Sequence, residues 1–562
     1  MSTIILPSVW ARDGLFAFSG VDGRTDYYRP FVGSLLPDRI GVHFHVQPPC
    51  ALYWPESPAV LDRRRSVVTG DALVLFRETE EKPFLTCAFL DEFTLVGRGP
   101  SPALSPVAAA RSFLDDPPGA VSVRLEDDRF ACAFGLDADD AARRAGRGLW
   151  ASPEEVAEAR LAFLRVLTPP AWGDDAERRA YLKACSVLKC NTYSAQDDLN
   201  VRWTTPDRWP HRHMWLWDSA FHSLGLRRLS GMLAQEALAA VLSRQREDGF
   251  IPHVMGPGDE QRSTITQPPV LAWACWKAYR VREDREFLQW AYPRLSAYLG
   301  WDLEHRDADR DGLLEWRKDL ESELCHCGES GMDNSPRFDR PGNQAAVDFN
   351  AMLSAECATM ARFAAILGRG EDAFAWLSLR ESHRRLMEAK LWSDDLGLYL
   401  DRLDGEWVDV PSVASFTPLY ARVPTPERAR RLVESLCDPG RFWRALPVPS
   451  VAADHPSYDD DMWRGPTWLN LNYLVVEGLL HYGCRDEALA LAERTVAEVA
   501  RWYDQEGCIF EYYDPEGRRS PAALSRKRNT GVAPIRDYGW SAAVYVEFCH
   551  FLDDPEDFVG AL

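Results

Sequence analysis

The helical character of this chain is clearest at residues 483–499, which read GCRDEALALAERTVAEV. Gly483 supplies a turn, and the acidic pair Asp486 and Glu487 is typical of the first turn of a helix. Apolar residues then recur every three or four positions: Ala488, Leu491, Ala492, Val496 and Val499. This spacing predicts an amphipathic helix that starts just after the glycine and buries one face.

The same kind of junction, a turn followed by acidic residues, recurs at residues 368–372 and 424–427. Further apolar stripes have helical spacing: Leu229, Met232, Leu233, Leu238, Val241 and Leu242, and also Trp376, Leu379, Leu386, Met387 and Leu391. The junctions lie about 55–60 residues apart, the length of a helix pair with its loops. Residues 175–562 are therefore predicted to be mainly α-helical, as a closed ring of roughly twelve helices. An open solenoid is the alternative, although it should show a tighter sequence repeat.

Residues 1–148 are predicted to form a β-rich domain. Apolar and polar residues alternate over residues 40–47 and again over residues 121–125, which is the period of a half-buried strand. Asp127 and Asp128 then turn the chain into a second strand, so a hairpin is expected here. A β-sandwich is the natural architecture for a segment of this kind.

A helix is predicted to connect the two regions. Ser152, Pro153 and Glu155 have the order of an N-cap, a first helical position and a capping-box glutamate. We assign residues 149–174 to this linker and residues 175–562 to the helical domain.

Composition restricts the partners of the protein. The 562 residues carry a formal net charge of −21, which argues against nucleic acid and anionic membranes because both require clustered Lys and Arg. We expect no membrane span, no secretory signal at the N-terminus, and a small glycoside or oligosaccharide as substrate, with the oligomeric state left open. The 21 tryptophans suit stacking against sugar rings, although composition alone favours ordinary packing in a large helical protein.

The thirteen cysteines are scattered without disulfide-framework spacing, which favours reduced thiols and a cytoplasmic location. Cys325-His326-Cys327 lacks a second ligand pair, so no zinc site is expected. Asp307, Asp309, Asp311 and Gly312 match the start of a calcium loop, but Lys318 stands where the bidentate acid belongs. We therefore expect no cofactor, with calcium as the alternative.

Five segments between the helices follow neither period and are dense in Trp, Asp, Gly, Pro and Arg. They lie at residues 215–222, 249–269, 329–337, 463–470 and 510–517, with 538–541 behind the last. A helical ring gathers loops from one rim around a central pocket, so these segments indicate one site.

Glycosidic cleavage requires two carboxyl groups, one to protonate the departing oxygen and one to activate water or attack the sugar. Asp333 stands in a loop bounded by Gly and Pro, and Glu511 stands among aromatic residues. Each has an ordinary structural alternative: Asp-Asn-Ser-Pro is good turn material, and Glu511 could be a surface carboxylate near a turn.

The combination of motifs resembles glycoside hydrolase family 63, in particular its bacterial α-glucosidases and its mannosylglycerate and glucosylglycerate hydrolases. The residues that carry the resemblance are Trp217-Asp218, Gln267-Pro268-Pro269, Gly331 to Pro336, Trp463 to Pro466 and Glu511 to Pro515. The resemblance implies an (α/α)6 toroid and an inverting mechanism. It also implies that Asp333 matches the general acid and Glu511 the general base.

Under this interpretation the neighbouring residues bind substrate. Trp217 and Asp218 are expected to hold the released sugar, Trp463 and Arg464 to line the pocket, and Trp540 to form a wall, with core packing as the alternative for Trp540. Gln267 and Arg337 bear on the leaving group, where Arg337 would clamp a carboxylate such as glycerate. The alternative for Arg337 is a structural ion pair with Asp339 or Asp348.

The leading hypothesis is an exo-acting α-glycosidase that releases glucose or mannose from a small α-glycoside. A toroid-fold phosphorylase or epimerase is an alternative, but a phosphorylase needs a basic phosphate pocket, and a base at Glu511 argues against it. A non-catalytic carbohydrate-binding protein is the third hypothesis, and the presence of both carboxyls argues against it.

Overall fold

The protein is described by a computed structural model that covers residues 5–107, 116–258, 263–322, 324–528 and 532–560. Contacts divide the chain into two compact units. The first consists of Met1–Met214, Val499–Ile509 and Ile535–Val546, and the second of Trp215–Glu498, Phe510–Pro534 and Glu547–Leu562. The boundaries predicted at residues 148 and 174 follow a change of secondary structure rather than contacts, and they stay a prediction.

Strands dominate the first part of the first unit. They are β1 (Leu15–Phe16), β2 (Gly33–Leu35), β3 (Gly41–Phe44), β4 (Cys50–Tyr53), β5 (Val67–Val68), β6 (Ala72–Leu75), β7 (Leu85–Asp91), β8 (Thr94–Arg98), β9 (Ala103–Pro106), β10 (Ala120–Glu126) and β11 (Arg129–Gly135). They form two antiparallel sheets, of order β1-β2-β3-β4-β9 and β10-β11-β8-β7-β6-β5. The predicted hairpin is confirmed, because β10 pairs with β11 across a turn at Asp127, which has φ of +54°.

Aromatic side chains join the two sheets. Phe16 of β1 lies 5.0 Å from Phe89 of β7, measured between ring centroids. Phe31 stacks on Phe44 of β3 at 4.2 Å and on Phe134 of β11 at 5.7 Å. The apolar faces of both sheets therefore contribute to one core, and the β-rich N-terminal region is confirmed.

Three helices follow these strands: α1 (Ala138–Gly148), α2 (Pro153–Arg165) and α3 (Asp175–Cys190). Helix α1 corrects the prediction, because residues 138–148 were included in the β-rich segment but form a helix that packs on β10 and β11. Asp137 caps it by accepting a hydrogen bond from the backbone N–H of Asp140. The predicted start of α2 is confirmed, with Ser152 as its N-cap and Pro153 at its first position.

The remaining helices are α4 (Leu216–Leu229), α5 (Gly231–Leu242), α6 (Leu271–Val281), α7 (Arg285–His305), α8 (Val347–Ile366), α9 (Gly370–Lys390), α10 (Thr417–Tyr420), α11 (Pro426–Leu436), α12 (Leu469–His481), α13 (Arg485–Glu506), α14 (Gly539–Asp553) and α15 (Pro555–Gly560). Short strands lie between them or just before them: β12 (Thr192–Tyr193), β13 (Trp203–Thr204), β14 (Met214–Trp215), β15 (Val254–Met255), β16 (Gln344–Ala345), β17 (Trp392–Ser393), β18 (Leu398–Tyr399), β19 (Arg402–Leu403) and β20 (Glu406–Trp407). Among the described residues, none of these helices is both long and apolar enough to cross a membrane.

The helices of the second unit alternate between two rows. Helices α4, α6, α8, α10 and α12 contact one another in succession, and α5, α7 and α9 form a second row that packs against them. The protein is thus mainly helical after the β-rich region, as the repeated junctions predicted. The stripe that starts at Ala488 is confirmed, because all five of its residues are fully buried.

One predicted stripe is wrong at Met232, which is 47% exposed. Helix α4 ends at Leu229, and Ser230 caps α5 by accepting a hydrogen bond from the backbone N–H of Leu233. Since the helical register restarts at this cap, Met232 falls on the solvent side of the first turn of α5.

Candidate active site

Asp333 lies in a tight loop that precedes α8. A short 3-10 turn, Gly328–Ser330, is followed by Gly331, whose φ is +70°. A Cβ atom at Gly331 would lie 2.3 Å from a carbon of the Trp217 ring, so the loop can pass this close to the indole only because residue 331 is glycine. The Asp333 side chain is 21% exposed, and one carboxylate oxygen lies 3.0 Å from Nζ of Lys527. The loop therefore presents an accessible carboxyl beside a cation.

The buried carboxylate of Glu329 holds this loop in place. It accepts a hydrogen bond from the backbone N–H of Thr266 at 3.1 Å and two from the guanidinium of Arg306 at 2.6 and 2.9 Å. The next residue after Thr266 is Gln267, whose Oε1 accepts a hydrogen bond from the backbone N–H of Trp217 at 3.2 Å. The segments that precede α4, α6 and α8 are thus connected by hydrogen bonds.

Glu511 lies in the loop that follows α13, and it is 2% exposed. Its carboxylate accepts hydrogen bonds from Nε of Arg526 at 2.8 Å and from Nη2 at 3.3 Å. The Arg526 side chain is equally buried. A bidentate pair of this kind supplies two charge-assisted hydrogen bonds, which fix the orientation of the Glu511 carboxylate.

One short segment, Ser525–Lys527, contacts both predicted catalytic residues. Arg526 binds Glu511 and the next residue, Lys527, binds Asp333. Adjacent Cα atoms are only about 3.8 Å apart, so two carboxyls that are distant in the chain bind side chains that start from neighbouring positions of one segment.

Asp461 strengthens this connection. Its two carboxylate oxygens accept hydrogen bonds from Nδ2 of Asn334 at 2.7 Å and from Oγ of Ser525 at 2.6 Å. The hydroxyl of Tyr512 donates to the backbone oxygen of Ser525 at 2.6 Å. The residue that follows each predicted catalytic acid is therefore linked to Ser525, directly or through Asp461.

Tryptophans pack beside the Asp333 loop. Trp463 and Trp468 stack with their ring centroids 3.8 Å apart and their planes within 2°, and Trp217 lies 6.2 Å from Trp463. All three indoles are buried. The backbone N–H of Trp463 donates to Oδ1 of Asn334 at 3.0 Å. The structure thus brings the predicted substrate-binding residues Trp217, Gln267 and Trp463 together with Asp333. Asp218, next to Trp217 in the first turn of α4, is also buried.

The prediction that Arg337 clamps a substrate carboxylate is corrected by the structure. Its guanidinium donates to both oxygens of Asp348 at 2.8 and 3.0 Å, to both oxygens of Asp401 at 2.8 and 2.9 Å, and to the sulfur of Met332. These bonds occupy the five N–H groups of a buried arginine, so none is left for a ligand. The alternative, a structural ion pair with Asp348, is the one observed.

Two other predicted residues have structural partners. Arg464 forms a partly exposed salt bridge with Asp339, which also accepts from His326. Trp540 is buried and packs edge-to-face on Tyr538, at 4.9 Å between ring centroids. Trp540 belongs to the first compact unit, and its role as a wall of the pocket stays a prediction.

Burial controls the titration of the groups around the two acids. It lowers the pKa of His253 to about 4, although the nearby Asp333 carboxylate acts in the opposite direction. It raises the pKa of the Cys325 thiol, with Asp333 adding to the effect, and that of the Tyr512 hydroxyl, with Glu511 adding to it. At neutral pH these neighbours are uncharged, while Lys527 and Arg526 supply positive charge.

The acidic cluster at the predicted calcium loop includes Glu315 and leaves out Asp311. Carboxylate oxygens of Asp307, Asp309 and Glu315 lie within 4.8 Å of one another, whereas Asp311 forms a salt bridge with Lys390 at 2.8 Å. Burial raises the pKa of Glu315 to about 7, and the charges of Asp307 and Asp309 add to this effect. The hydrogen bonds that Glu315 accepts act in the opposite direction. Calcium binding here stays a prediction.

Sequence analysis missed Arg526, Lys527, Ser525 and Asp461. A signal was present, because residues 526–528 are three consecutive cations in a chain of net charge −21 and follow Glu511 closely. Such a cluster next to a predicted catalytic carboxylate indicates a partner for it.

Comparison with known proteins identifies the family of this chain. The family profile described as "Mannosylglycerate hydrolase MGH1-like glycoside hydrolase domain" matches residues 211–541, the stretch that contains every motif named above. The protein is therefore a glycoside hydrolase. It belongs to the MGH1-like family within glycoside hydrolase family 63, which confirms the resemblance seen in its motifs.

Individual relatives support the same assignment. A mannosylglycerate hydrolase of Thermus thermophilus is 30% identical over 419 residues, which cover 59% of this chain and 94% of the relative. A glucosylglycerate hydrolase of Mycolicibacterium hassiacum is 24% identical, over 54% of this chain and 86% of that protein. A crystal structure of the GH63 mannosylglycerate hydrolase from Thermus thermophilus in complex with Tris and D-glycerate aligns with a TM-score of 0.54 at 26% identity, over 65% of this chain and 99% of that one.

Proposed function

We propose that the protein is an inverting, exo-acting α-glycosidase that hydrolyses a small α-glucoside or α-mannoside, with a glycosylglycerate as the foremost substrate. Asp333 acts as general acid and Glu511 as general base. The observation that carries the proposal is the contact of adjacent residues, Arg526 and Lys527, with one of these acids each. The names of the relatives supply the substrate class.

The two carboxyls differ in exposure in a way that suits the two proposed tasks. Asp333 is accessible, so it can reach the glycosidic oxygen of a bound substrate and protonate it. Glu511 is buried and oriented by Arg526, which suits a base that must direct one water molecule at the anomeric carbon. Inversion further requires the two carboxyls to stand about 6.5–9.5 Å apart, with the water between the base and the sugar.

We also propose that the two rows of helices close into an (α/α)6 ring within residues 175–562, and that the two sheets within residues 15–135 form a β-sandwich. Four of the proposed site residues lie before, or in the first turn of, helices of the inner row: Trp217 in α4, Gln267 before α6, Asp333 before α8 and Trp463 before α12. This common position supports a single pocket at one rim.

Lys527 is the proposed partner of the leaving group. The general acid lies beside the departing oxygen, and Lys527 lies 3.0 Å from Asp333, so the carboxylate of a glycerate leaving group would reach the Lys527 ammonium. This places on Lys527 the role that the sequence suggested for Arg337. A charge-assisted hydrogen bond contributes about 1.5–3 kcal/mol, which corresponds to a preference of about tenfold to a hundredfold over a neutral leaving group.

Hydrolysis of mannosylglycerate, glucosylglycerate and 4-nitrophenyl α-glycosides, followed by NMR of the first anomer released, tests the reaction. We expect the β-anomer, and release of the α-anomer would exclude the inverting mechanism. Asp333→Asn and Glu511→Gln should each lower kcat by about 10²–10⁴-fold in the folded protein. The matched controls are Asp395→Asn and Glu371→Gln at exposed carboxyls, which should leave kcat unchanged.

Lys527→Met tests the leaving-group contact separately. We expect kcat/KM for a glycosylglycerate to fall by about tenfold or more, while the value for a 4-nitrophenyl glycoside changes little. Equal losses on both substrates would remove Lys527 from glycerate recognition without affecting the assignment of the two acids. The control is Arg519→Met, which changes an exposed arginine eight residues before Lys527.

A reaction carried by two carboxyls needs no cofactor, and we propose none. Calorimetric titration with calcium, using Asp309→Asn as the comparison, would test the cluster at Asp307, Asp309 and Glu315. A cytoplasmic location stays a prediction; all thirteen cysteines are free thiols in the structure, as expected for a reducing compartment.

A further inference from the structure

A cavity of about 410 Å³ lies far from the proposed active site, at the other ends of the inner helices. Residues of α6, α8, α9, α10 and α12 line it, together with the turn that follows α10. Trp468 immediately precedes α12, whereas His481 at its C-terminus lines the cavity, and at 1.5 Å per residue the helix separates the two by about 20 Å. The cavity is therefore distinct from the active site, and its volume is that of a small-molecule pocket.

The lining of this cavity is positively charged. Lys277, Arg362, Arg380 and Arg422 line it, and Glu477 is the one carboxylate among the lining residues that the structure describes. Glu477 already pairs with Lys277 at 2.5 Å. Such a concentration of cations stands out in a protein with a net charge of −21.

The histidine of the cavity adds no positive charge. Burial, and then the neighbouring Arg422 and the other cations, lower the pKa of His481 to about 3. Its Nδ1 therefore accepts a hydrogen bond from Nη2 of Arg422 at 2.8 Å. Four cations thus face one carboxylate at neutral pH.

The arginines of the cavity repel one another. The pKa of each of Arg362, Arg380 and Arg422 is lowered, first by partial burial and then by the charge of another of these arginines. Among the described residues, neither Nε of Arg380 nor the buried hydroxyl of Tyr420 has a hydrogen-bond partner. Buried donors and like charges in one place are unfavourable unless an anion compensates them.

We propose that this cavity binds a phosphoryl dianion, held by the guanidinium groups of Arg380 and Arg422 and by the hydroxyl of Tyr420. Guanidinium groups match phosphate oxygens in geometry and charge, and an excess of three cations favours a dianion over a monoanion. Trp276 provides an aromatic wall on which a sugar carried by that phosphate can pack. The ligand is thus inorganic phosphate or a phosphorylated sugar, and its site is separate from the catalytic carboxyls.

Isothermal titration calorimetry on the full chain, with inorganic phosphate and with glucose 6-phosphate at constant ionic strength, tests the proposal. Saturable binding of either probe, with no binding of glucose or chloride, is expected. Glucose 6-phosphate binding at least about tenfold tighter than phosphate would identify a sugar phosphate, and equal affinities would identify free phosphate, both in agreement with the proposal.

Variants locate the binding. Arg380→Gln and Arg422→Gln should each weaken it by about tenfold or more, because each removes a charged hydrogen-bond donor. Arg385→Gln on the same helix α9 removes an equal charge at an exposed position outside the cavity, and should change nothing. Arg422 is exposed, so its variant should fold, and an unchanged rate of glycoside hydrolysis would confirm that it does.

Two results would overturn the proposal. One is the lack of saturable binding of either probe at millimolar concentration. The other is binding that Arg380→Gln and Arg422→Gln leave as strong as in the unaltered chain. In both cases the cations would serve only the C-terminal ends of the surrounding helices.

Discussion

Replacing Arg526 by methionine tests the central contact of the proposed active site. Methionine keeps much of the side-chain volume but removes the guanidinium that binds Glu511. Because Glu511 is only 2% exposed, its carboxylate would lose its charged partner in a place that is largely removed from bulk water. We expect a less stable protein with very low activity.

The magnitude follows from the two hydrogen bonds. Hydrogen bonds to charged groups contribute about 1.5–3 kcal/mol each, and breaking a buried ion pair by removing one partner costs about 3–5 kcal/mol. The free energy of unfolding of Arg526→Met should therefore fall by about 3–5 kcal/mol. Glu511→Gln, made in the Arg526→Met background, should recover much of this loss because no charge is then left buried.

Urea unfolding of the two single variants and the double variant, followed by tryptophan fluorescence, measures the coupling between the two residues. Arg519→Met removes an exposed arginine, paired with Asp460 at the surface, and should cost less than about 1 kcal/mol. Hydrolysis by folded Arg526→Met, measured in parallel, should be reduced about as strongly as by Glu511→Gln.

The reasoning is refuted if Arg526→Met unfolds within about 1 kcal/mol of the unaltered chain, as a surface pair would. It is equally refuted if the effects of Arg526→Met and Glu511→Gln simply add. Additive effects would show that the two side chains do not act as a pair.

Three further predictions concern other parts of the structure. The two carboxylate oxygens of Glu356 accept hydrogen bonds from the first backbone N–H groups of α6, and Glu356→Gln replaces one of these acceptors by a donor. The free energy of unfolding, measured by urea denaturation, should therefore fall by about 1–3 kcal/mol. The control Glu371→Gln, at an exposed residue, should leave it unchanged. Gly331→Ala places a Cβ against the Trp217 ring at positive φ, so kcat/KM should fall by about tenfold or more in steady-state assays; full activity would show that the loop can shift at no cost. Burial lowers the pKa of His222 to about 3, so this side chain stays neutral in the folded chain. The unfolded chain binds a proton at His222 below about pH 6.5, and the protein therefore loses stability as the pH falls from 6.5. His222→Gln should flatten this pH dependence by up to about 1.4 kcal/mol per pH unit between pH 6.5 and 4 in denaturation curves, and an unchanged slope would contradict the assignment.

The main features of the fold were predictable because they are local. The helical spacing from Ala488 to Val499, the capping residues at Ser152 and the alternation on either side of Asp127 are determined by neighbours within one or two turns of chain. Each of these segments has the predicted structure. The error at Met232 arose where the pattern was continued across a helix break, since two helices with a cap between them do not share a register.

The candidate site was predictable in its residue types but not in its partners. The motif around Gly331 to Pro336 and the aromatic segment at Glu511 identified two carboxyls and the glycoside hydrolase family. Nothing in the spacing of the residues showed that Arg337 would form salt bridges with Asp348 and Asp401. An arginine close to an acid in sequence suits a ligand and a structural ion pair equally, and only burial and competing acceptors distinguish them.

The sequence by itself thus determined the helix and strand periods, the loops that carry chemistry and the two acidic residues, because periodicity and motif order are properties of the linear chain. Only the tertiary structure showed that Arg526 pairs with Glu511 and Lys527 with Asp333. It also brought together the cations that line the proposed phosphate cavity, which come from several different helices. The physical reason is that electrostatic and hydrogen-bond partners are chosen by distance in space, and here that distance joins residues far apart along the chain.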